Sequence, residues 1–184
     1  MIQALKVLVI ALLGLALGIG LAWLTRGQPP APNPDGAVDA AAVGDPRPDF
    51  RHAALDGSLV DAADFDGRPL LVNFWATWCA PCVREMPLLD EFAAEQAGRM
   101  AVVGIAIDDP DAVGGFVEQL GIDYPILVGA TGAVEVMDTQ RRYGNAQGLL
   151  PYTVLVAADG TIAWQHLGEV ERHHLADEVV PLIE

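Results

Sequence analysis

The chain has 184 residues, of which 10 are lysine or arginine and 25 are aspartate or glutamate, so its formal net charge is −15. A chain this acidic excludes nucleic-acid binding through neutralisation of phosphates, and it indicates a soluble body that repels anionic surfaces. The length suits one domain with an appendage, and the presence of only two cysteines leaves the redox compartment open.

An apolar segment near the N-terminus predicts a membrane-spanning helix. Residues 7–24 contain no charged or strongly polar side chain and would span roughly 27 Å as a helix, close to the thickness of a hydrocarbon core. A cleaved signal peptide is the main alternative, but its apolar core is shorter and its small-x-small cleavage site follows closely, whereas the first Ala-x-Ala here lies at 40–42. We therefore predict a signal anchor over residues 1–26.

The charges around this segment give its orientation. Lys6 and the amino terminus favour a cytoplasmic N-terminus, whereas Arg26 favours the opposite arrangement. With the N-terminus inside, the chain is a single-pass protein of the cytoplasmic membrane, and its body faces the periplasmic or extracytoplasmic side. Residues 27–48 then predict an extended tether, because they combine small residues with six prolines and no apolar period.

Residues 49–184 alternate strand and helix signals and predict an α/β domain. The predicted elements are a hairpin over 50–60 turning at Asp56-Gly57, a strand over 70–75, a helix over 81–96, a strand over 101–107, a helix over 111–120, a strand over 124–128, a helix over 133–143, a hairpin of strands 152–156 and 162–166, and a final helix over 171–183 that is irregular at Pro181. Continuous apolar strands separated by helices indicate a central sheet covered on both faces. The closing hairpin makes that sheet mixed.

Both cysteines, Cys79 and Cys82, lie on the predicted first turn of the helix that follows the 70–75 strand. Pro81 suits that turn, since its fixed φ fits the start of a helix and its missing N–H is not needed there. The free N–H groups and the positive dipole end of the helix stabilise a thiolate on the first sulfur. Because thiolates are the attacking species in disulfide exchange, the pair indicates a redox centre.

Two other readings of the cysteine pair remain open. A structural zinc site requires four ligands, and the sequence offers no second cysteine pair. His173 and His174 are neighbours on a predicted helix, where their side chains should diverge, and the other two histidines stand alone. A permanent structural disulfide is the second reading, although closing so small a loop removes little unfolded-state entropy.

Three stretches carry a family resemblance. Residues 66–69, Asp-Gly-Arg-Pro, residues 72–82, which end in Trp-Cys-Ala-Pro-Cys, and residues 85–87, Glu-Met-Pro, resemble the membrane-anchored thioredoxin-like proteins of the TlpA/ResA/CcmG group. The resemblance implies a three-layer thioredoxin-like fold with an inserted helix-strand unit, which residues 111–128 would supply. It also implies an extracytoplasmic dithiol that is kept reduced and acts in cytochrome c maturation.

The resemblance also assigns site residues. Pro151 matches the family's cis-proline, which turns the Leu150 backbone toward the sulfurs so that it can pair with an extended substrate peptide; Trp78 is expected to pack beside this substrate-binding surface. Glu85 matches an acidic residue that exchanges protons with the inner sulfur, although the helix dipole alone would favour a glutamate there. Asn73 stands where cytoplasmic thioredoxins have a buried aspartate, and because asparagine does not titrate, Glu85 is the better candidate for proton transfer.

The predicted activity is therefore thiol–disulfide exchange on protein disulfides, possible substrates being apocytochrome c or another maturation protein. An upstream dithiol protein would supply the electrons, since the chain has no flavin or nicotinamide fingerprint, and we predict no cofactor and no metal. A peroxiredoxin-type thiol peroxidase is the first alternative, but its motif requires threonine where this chain has Ala76. A copper metallochaperone is the second, but it uses a wider cysteine spacing.

Overall fold

The structure is a computed structural model that describes residues 40–183. The predicted signal anchor and residues 27–39 of the predicted tether lie outside the described residues. Within 40–183, none of the helices has both the length and the apolar character that crossing a membrane requires.

The described residues form an α/β domain in which strands and helices alternate. The elements in chain order are β1 (Arg51–Ala54), β2 (Leu59–Asp61), a 3₁₀ turn (Ala62–Phe65), β3 (Leu70–Trp75), α1 (Ala80–Glu95), β4 (Ala101–Ala106), α2 (Pro110–Leu120), β5 (Ile126–Val128), α3 (Ala133–Arg142), β6 (Tyr152–Val156), β7 (Ile162–Leu167), a π-helical turn (His174–Val179) and a 3₁₀ turn (Val180–Leu182). The predicted elements up to β7 are therefore present, with end shifts of a few residues.

The strands make one mixed seven-stranded sheet in the order β2-β1-β5-β4-β3-β6-β7. β3, β4 and β5 are parallel to one another, whereas β6 runs antiparallel to β3, and β1 antiparallel to β5. The predicted insertion is present as α2 and β5, and it places β5 between β4 and β1. This arrangement is the thioredoxin-like fold that the sequence resemblance implied.

β3 lies at the centre of two hydrophobic cores, because successive side chains of a strand point to opposite faces. Leu71 and Trp75 pack on one face, in a core that includes Met86 and Leu89 of α1. Leu70, Val72 and Phe74 pack on the other face, in a core that includes Val136 of α3 and the aromatic rings of Phe50, Tyr143 and Tyr152. The sheet is thus covered on both sides, and Asn73 falls on the face toward α1.

The domain begins earlier than residue 49, so the predicted boundary of the tether is wrong at its C-terminal end. The main chain of residues 41–47 bonds to the body: Gly44 N–H donates to the Ile162 carbonyl at 2.8 Å, and Arg47 N–H donates to the Gly160 carbonyl at 2.8 Å. The Tyr143 hydroxyl donates to the Pro48 carbonyl. Proline-rich composition predicted an extended segment, but an extended segment can also dock along a strand edge.

The C-terminal segment is not the regular helix predicted for 171–183. It winds as a π-helical turn over His174–Val179 and then as a 3₁₀ turn that contains Pro181. The predicted irregularity at Pro181 is confirmed, since proline has no N–H for the helical ladder.

His52, which stands alone in the sequence, is a buried histidine that is 1% exposed. Its Nδ1 lies 3.0 Å from Glu135 Oε1, and its Nε2 lies 3.0 Å from the Thr139 hydroxyl. Burial lowers the pKa of His52 although Glu135 opposes this effect. With a lowered folded pKa, the stability that His52 contributes is present above its unfolded pKa and is lost as the pH falls toward the folded value.

Candidate active site

The redox pair lies at the carboxyl end of β3, where the chain turns into α1. Cys79 and Cys82 are joined by a disulfide in the described structure. Cys79 is 6% exposed and Cys82 is fully buried. The outer sulfur is therefore the one that an incoming disulfide can reach, and the inner sulfur is shielded.

The start of α1 prepares Cys79 for thiolate chemistry. Cys79 is the N-cap residue, and its Sγ accepts a hydrogen bond from the Cys82 N–H at 3.4 Å. Pro81 lies in the first turn of the helix, as predicted. An N-cap sulfur next to unpaired N–H groups is stabilised as a thiolate, because the positive end of the helix dipole lies beside it.

Asp108 fixes the loop that leads into the cysteines. Its Oδ2 accepts hydrogen bonds from the Thr77 N–H at 3.1 Å and from the Thr77 hydroxyl at 2.5 Å. Burial favours the neutral form of Asp108, but the bonds from Thr77 and from the Asp109 N–H outweigh it and lower the pKa of this carboxyl. Because β3 and β4 are parallel, their carboxyl ends meet at one edge of the sheet, which places Asp108 beside Thr77.

Glu85 is a buried carboxylate three residues after Cys82 on the inner face of α1. It is 1% exposed, and it accepts hydrogen bonds from the Asn73 side-chain amide at 2.7 Å and from the Val170 N–H at 2.5 Å. Burial raises its pKa from an ordinary value of 4.5 to about 7, against the opposing effect of both hydrogen bonds. Glu85 can therefore take up or release a proton near neutral pH.

Asn73 supports Glu85 from the sheet. Its Nδ2 donates both to Glu85 Oε1 and to the Thr153 hydroxyl, whereas its Oδ1 is buried without a hydrogen-bond partner. The hydrogen bond from Asn73 favours the charged form of Glu85.

The Leu150–Pro151 peptide bond is cis, as the resemblance implied. The preceding loop is held by buried amide side chains, since Gln140 Nε2 and Asn145 Nδ2 both donate to the Leu149 carbonyl, at 3.0 and 2.6 Å. The Leu149 side chain is half-exposed, and Pro151 is buried. Trp78, immediately before Cys79, is 70% exposed, which leaves a large apolar surface beside the reactive sulfur.

The family model described as Redoxin matches residues 42–180, which include every site residue described above. The chain belongs to the redoxin family.

Individual relatives of this redoxin agree with that assignment. It is 30% identical over 135 residues to a thiol-disulfide oxidoreductase ResA from Bacillus thuringiensis, covering 72% of this chain and 74% of the relative. It is 30% identical over 152 residues to a thiol:disulfide interchange protein DsbE from Vibrio cholerae, covering 80% and 77%. A crystal structure of a secreted thiol-disulfide isomerase from Corynebacterium glutamicum superposes with a TM-score of 0.66 at 26% identity, covering 85% of this chain and 98% of that one.

The predicted resemblance to the TlpA/ResA/CcmG group is thereby confirmed. With the disulfide between Cys79 and Cys82, it makes this redoxin a thiol–disulfide oxidoreductase. Cys79 caps α1, Cys82 and Glu85 lie on α1, Asn73 lies on β3, and Pro151 lies in the loop before β6. Trp78 lies next to Cys79 in the chain, and Leu150 next to Pro151.

Sequence reasoning missed the residues that position these groups. Asp108 follows a parallel strand next to β3, so polar residues at adjacent strand ends were a usable signal for it. Asn145 and Gln140 carried no such signal. Glu169 was also missed; it forms an ion pair with Arg84 and adjoins the Val170 N–H that contacts Glu85.

The prediction that His173 and His174 diverge is wrong. Their ring centroids lie 3.9 Å apart, and the ring centroids of His174 and His166 lie 4.2 Å apart. In a regular α-helix, neighbouring side chains point about 100° apart. The segment that begins at His174 is π-helical instead.

Proposed function

We propose that this redoxin is a membrane-tethered, extracytoplasmic reductant of protein disulfides that acts in cytochrome c maturation. The observation that carries the proposal is the Cys79–Cys82 disulfide at the start of α1, together with the buried Glu85, three residues after Cys82, whose pKa burial raises to about 7. Such a group serves repeated rounds of dithiol oxidation and re-reduction near neutral pH, which a structural disulfide does not need.

The first step is attack by Cys79. Its thiolate, stabilised at the start of α1, attacks one sulfur of a partner disulfide and forms a mixed disulfide. The partner's other sulfur leaves as a thiolate. Cys79 is suited to this step because it is the more exposed of the two sulfurs.

The second step is resolution by Cys82. Glu85 takes the proton of the Cys82 thiol, and the resulting thiolate attacks the Cys79 sulfur. The partner leaves as a second thiolate, so two electrons have passed to it and the Cys79–Cys82 disulfide has formed. The two partner thiolates take up two protons, one of which Glu85 can return. An upstream dithiol protein then reverses the sequence and restores the reduced pair.

The partner is held by main-chain and apolar contacts. Leu150 and Pro151 offer backbone for pairing with an extended peptide. The exposed Trp78 ring adds apolar area beside Cys79. A flexible segment around a cysteine pair, such as the Cys-x-x-Cys-His haem site of an apocytochrome c, fits this surface.

The proposed extracytoplasmic location of the domain is inferred from the first residues of the chain. The apolar run over 7–24 supports a membrane anchor with its N-terminus inside. A tether beginning at residue 27 would then keep the domain near the outer surface, where an apocytochrome is processed. The similar secreted isomerase from Corynebacterium glutamicum supports the same side.

Cys82→Ala is expected to trap the mixed disulfide. Without Cys82 the second step stops, so the reduced variant should accumulate a covalent complex with an oxidised peptide that carries Cys-x-x-Cys-His. Non-reducing gel electrophoresis and mass spectrometry measure the complex. Oxidised insulin serves as an unrelated protein disulfide.

The double variant Cys79→Ser with Cys82→Ala is the matched control and should capture nothing. Absence of a complex with Cys82→Ala would contradict attack by Cys79. Equal capture of insulin and of the haem-site peptide would contradict the preference for apocytochrome, while the reductase activity would stand.

A single introduced cysteine tests the location. In a chain whose own cysteines are replaced by serine, Ala158→Cys places a thiol on the exposed turn between β6 and β7. A membrane-impermeant maleimide should modify this thiol completely in intact cells. Modification only after the cells are broken would overturn the extracytoplasmic assignment.

A further inference from the structure

Three histidines and a glutamate meet where β7 and the C-terminal segment come together. The His174 ring contacts both His166 and His173, with centroids 4.2 and 3.9 Å apart. One ligand atom each of His173, His174 and Glu178 lies within 4.8 Å of the others. His173 and Glu178 are exposed, and His174 is half-buried. The exchange reaction uses none of these side chains.

The winding of the segment brings this trio together. His173 and His174 precede Glu178 by five and four residues, and the π-helical turn over His174–Val179 bonds each residue to the fifth along. Both histidines therefore reach the same side as the carboxylate. Isolated π turns are uncommon and frequently mark functional sites.

The Glu178 carboxylate is held in place by a residue outside the metal-ligand group. The indole N–H of Trp164 on β7 donates to Glu178 Oε2 at 2.8 Å. The same Trp164 ring stacks on His166 with an interplanar angle of 3°. A hydrogen bond to one oxygen of a ligating carboxylate is the usual support around a protein-bound metal ion, because it fixes the orientation of the free oxygen.

The lone pair of His174 lies on Nδ1, which accepts the Glu171 N–H at 2.9 Å. His173 Nδ1 lies 3.5 Å from a Glu171 carboxylate oxygen. A cation that binds His174 through Nδ1 would replace the Glu171 amide hydrogen.

We propose that His173, His174 and Glu178 bind one divalent transition-metal ion of the Zn²⁺ and Cu²⁺ class. Imidazole nitrogen with one carboxylate suits these ions, whereas Mg²⁺ and Ca²⁺ require oxygen ligands. Three protein ligands leave further positions to water. Ligand atoms at about 2.1 Å from a tetrahedral ion lie about 3.4 Å apart, so rotation of the exposed side chains must bring the trio closer together.

The site adjoins the loop that contacts the redox centre. Glu171, whose N–H bonds to His174, directly follows Val170, whose N–H bonds to Glu85. Replacement of the Glu171 hydrogen bond by a metal ion therefore changes the surroundings of two consecutive amides. Their NMR resonances report the binding independently of any catalytic assay.

Zinc titration of the full chain tests the site. The protein is used without a polyhistidine tag and in its disulfide form, because reduced cysteines would themselves bind the metal. Calorimetry should show one Zn²⁺ per chain, displaced by Cu²⁺, which binds more tightly, and unaffected by excess Mg²⁺. The Glu171 and Val170 amide resonances should shift on saturation.

Matched variants locate the ligands. His174→Ala and Glu178→Gln should each weaken Zn²⁺ binding by at least about 10-fold. Asp177→Asn removes an exposed carboxylate next in sequence to Glu178 and should leave the affinity unchanged. The proposal is overturned if the oxidised wild type binds no Zn²⁺, or if His174→Ala binds it with wild-type affinity while its circular dichroism spectrum is unaltered.

Discussion

Glu85→Gln is expected to slow disulfide reduction by about 10²-fold at pH 7, the size of effect typical for loss of a positioned proton acceptor. Glutamine keeps the shape of the side chain, so the cysteines and the helix start should be undisturbed. What the variant loses is the buried carboxylate whose pKa of about 7 allows it to take the Cys82 proton near neutral pH.

The pH profile separates this role from a structural one. In the wild type, the rate of mixed-disulfide resolution should rise as the pH passes through about 7, because deprotonated Glu85 is the active form. In Glu85→Gln the step should lose this rise and depend only on the thiol itself. Stopped-flow measurement of the resolution of a preformed mixed disulfide, between pH 5 and 9, follows the step directly.

Glu95→Gln is the matched control, since Glu95 is an exposed carboxylate near the other end of α1. It should retain both the wild-type rate and the wild-type profile. If Glu85→Gln also kept the inflection near pH 7, another group would have to be the proton acceptor.

The sequence predicted those parts of the fold and site that depend on local pattern. The strand over 70–75 is a continuous apolar run, and Pro81 with the two cysteines marks the start of α1. Glu85 came from the family resemblance, and the three-residue spacing supports it because residues at that spacing share a helix face. Pro151 also came from the resemblance, because a cis bond leaves no signal in composition or periodicity.

The parts that the sequence could not give depend on contacts between distant segments. The Val170 N–H reaches Glu85 across 85 positions in the chain, and the Asp108 carboxylate reaches Thr77 across 31. His52 similarly meets Glu135. Such pairs depend on the order of strands in the sheet, which local patterns do not specify. The winding of the C-terminal turn was missed for a related reason, since its packing against β7 overrides local propensity.

Glu85 should also make the stability of the oxidised protein depend on pH. Between pH 4.5 and about 7 the folded protein retains the Glu85 proton, whereas an unfolded chain has released it. The stability linked to this proton is therefore complete below the unfolded pKa and is lost as the pH rises to the folded pKa. Each pKa unit corresponds to about 1.4 kcal/mol, so Glu85 lowers the free energy of unfolding by about 3 kcal/mol over this interval.

Urea unfolding of the oxidised wild type and of oxidised Glu85→Gln measures this contribution of Glu85 to the free energy of unfolding. The difference in unfolding free energy should move by about 3 kcal/mol in favour of the variant between pH 4.5 and 8. His52 acts with the opposite sign, because its pKa is lowered by folding, but it is present in both proteins and cancels in the difference. A difference that stays constant with pH would show that Glu85 remains charged in the folded protein. A constant difference in unfolding free energy, combined with the predicted loss of rate, would place the proton acceptor elsewhere. If the unfolding free energy and the rate both change as expected, the same carboxylate destabilises the oxidised protein at high pH and drives exchange.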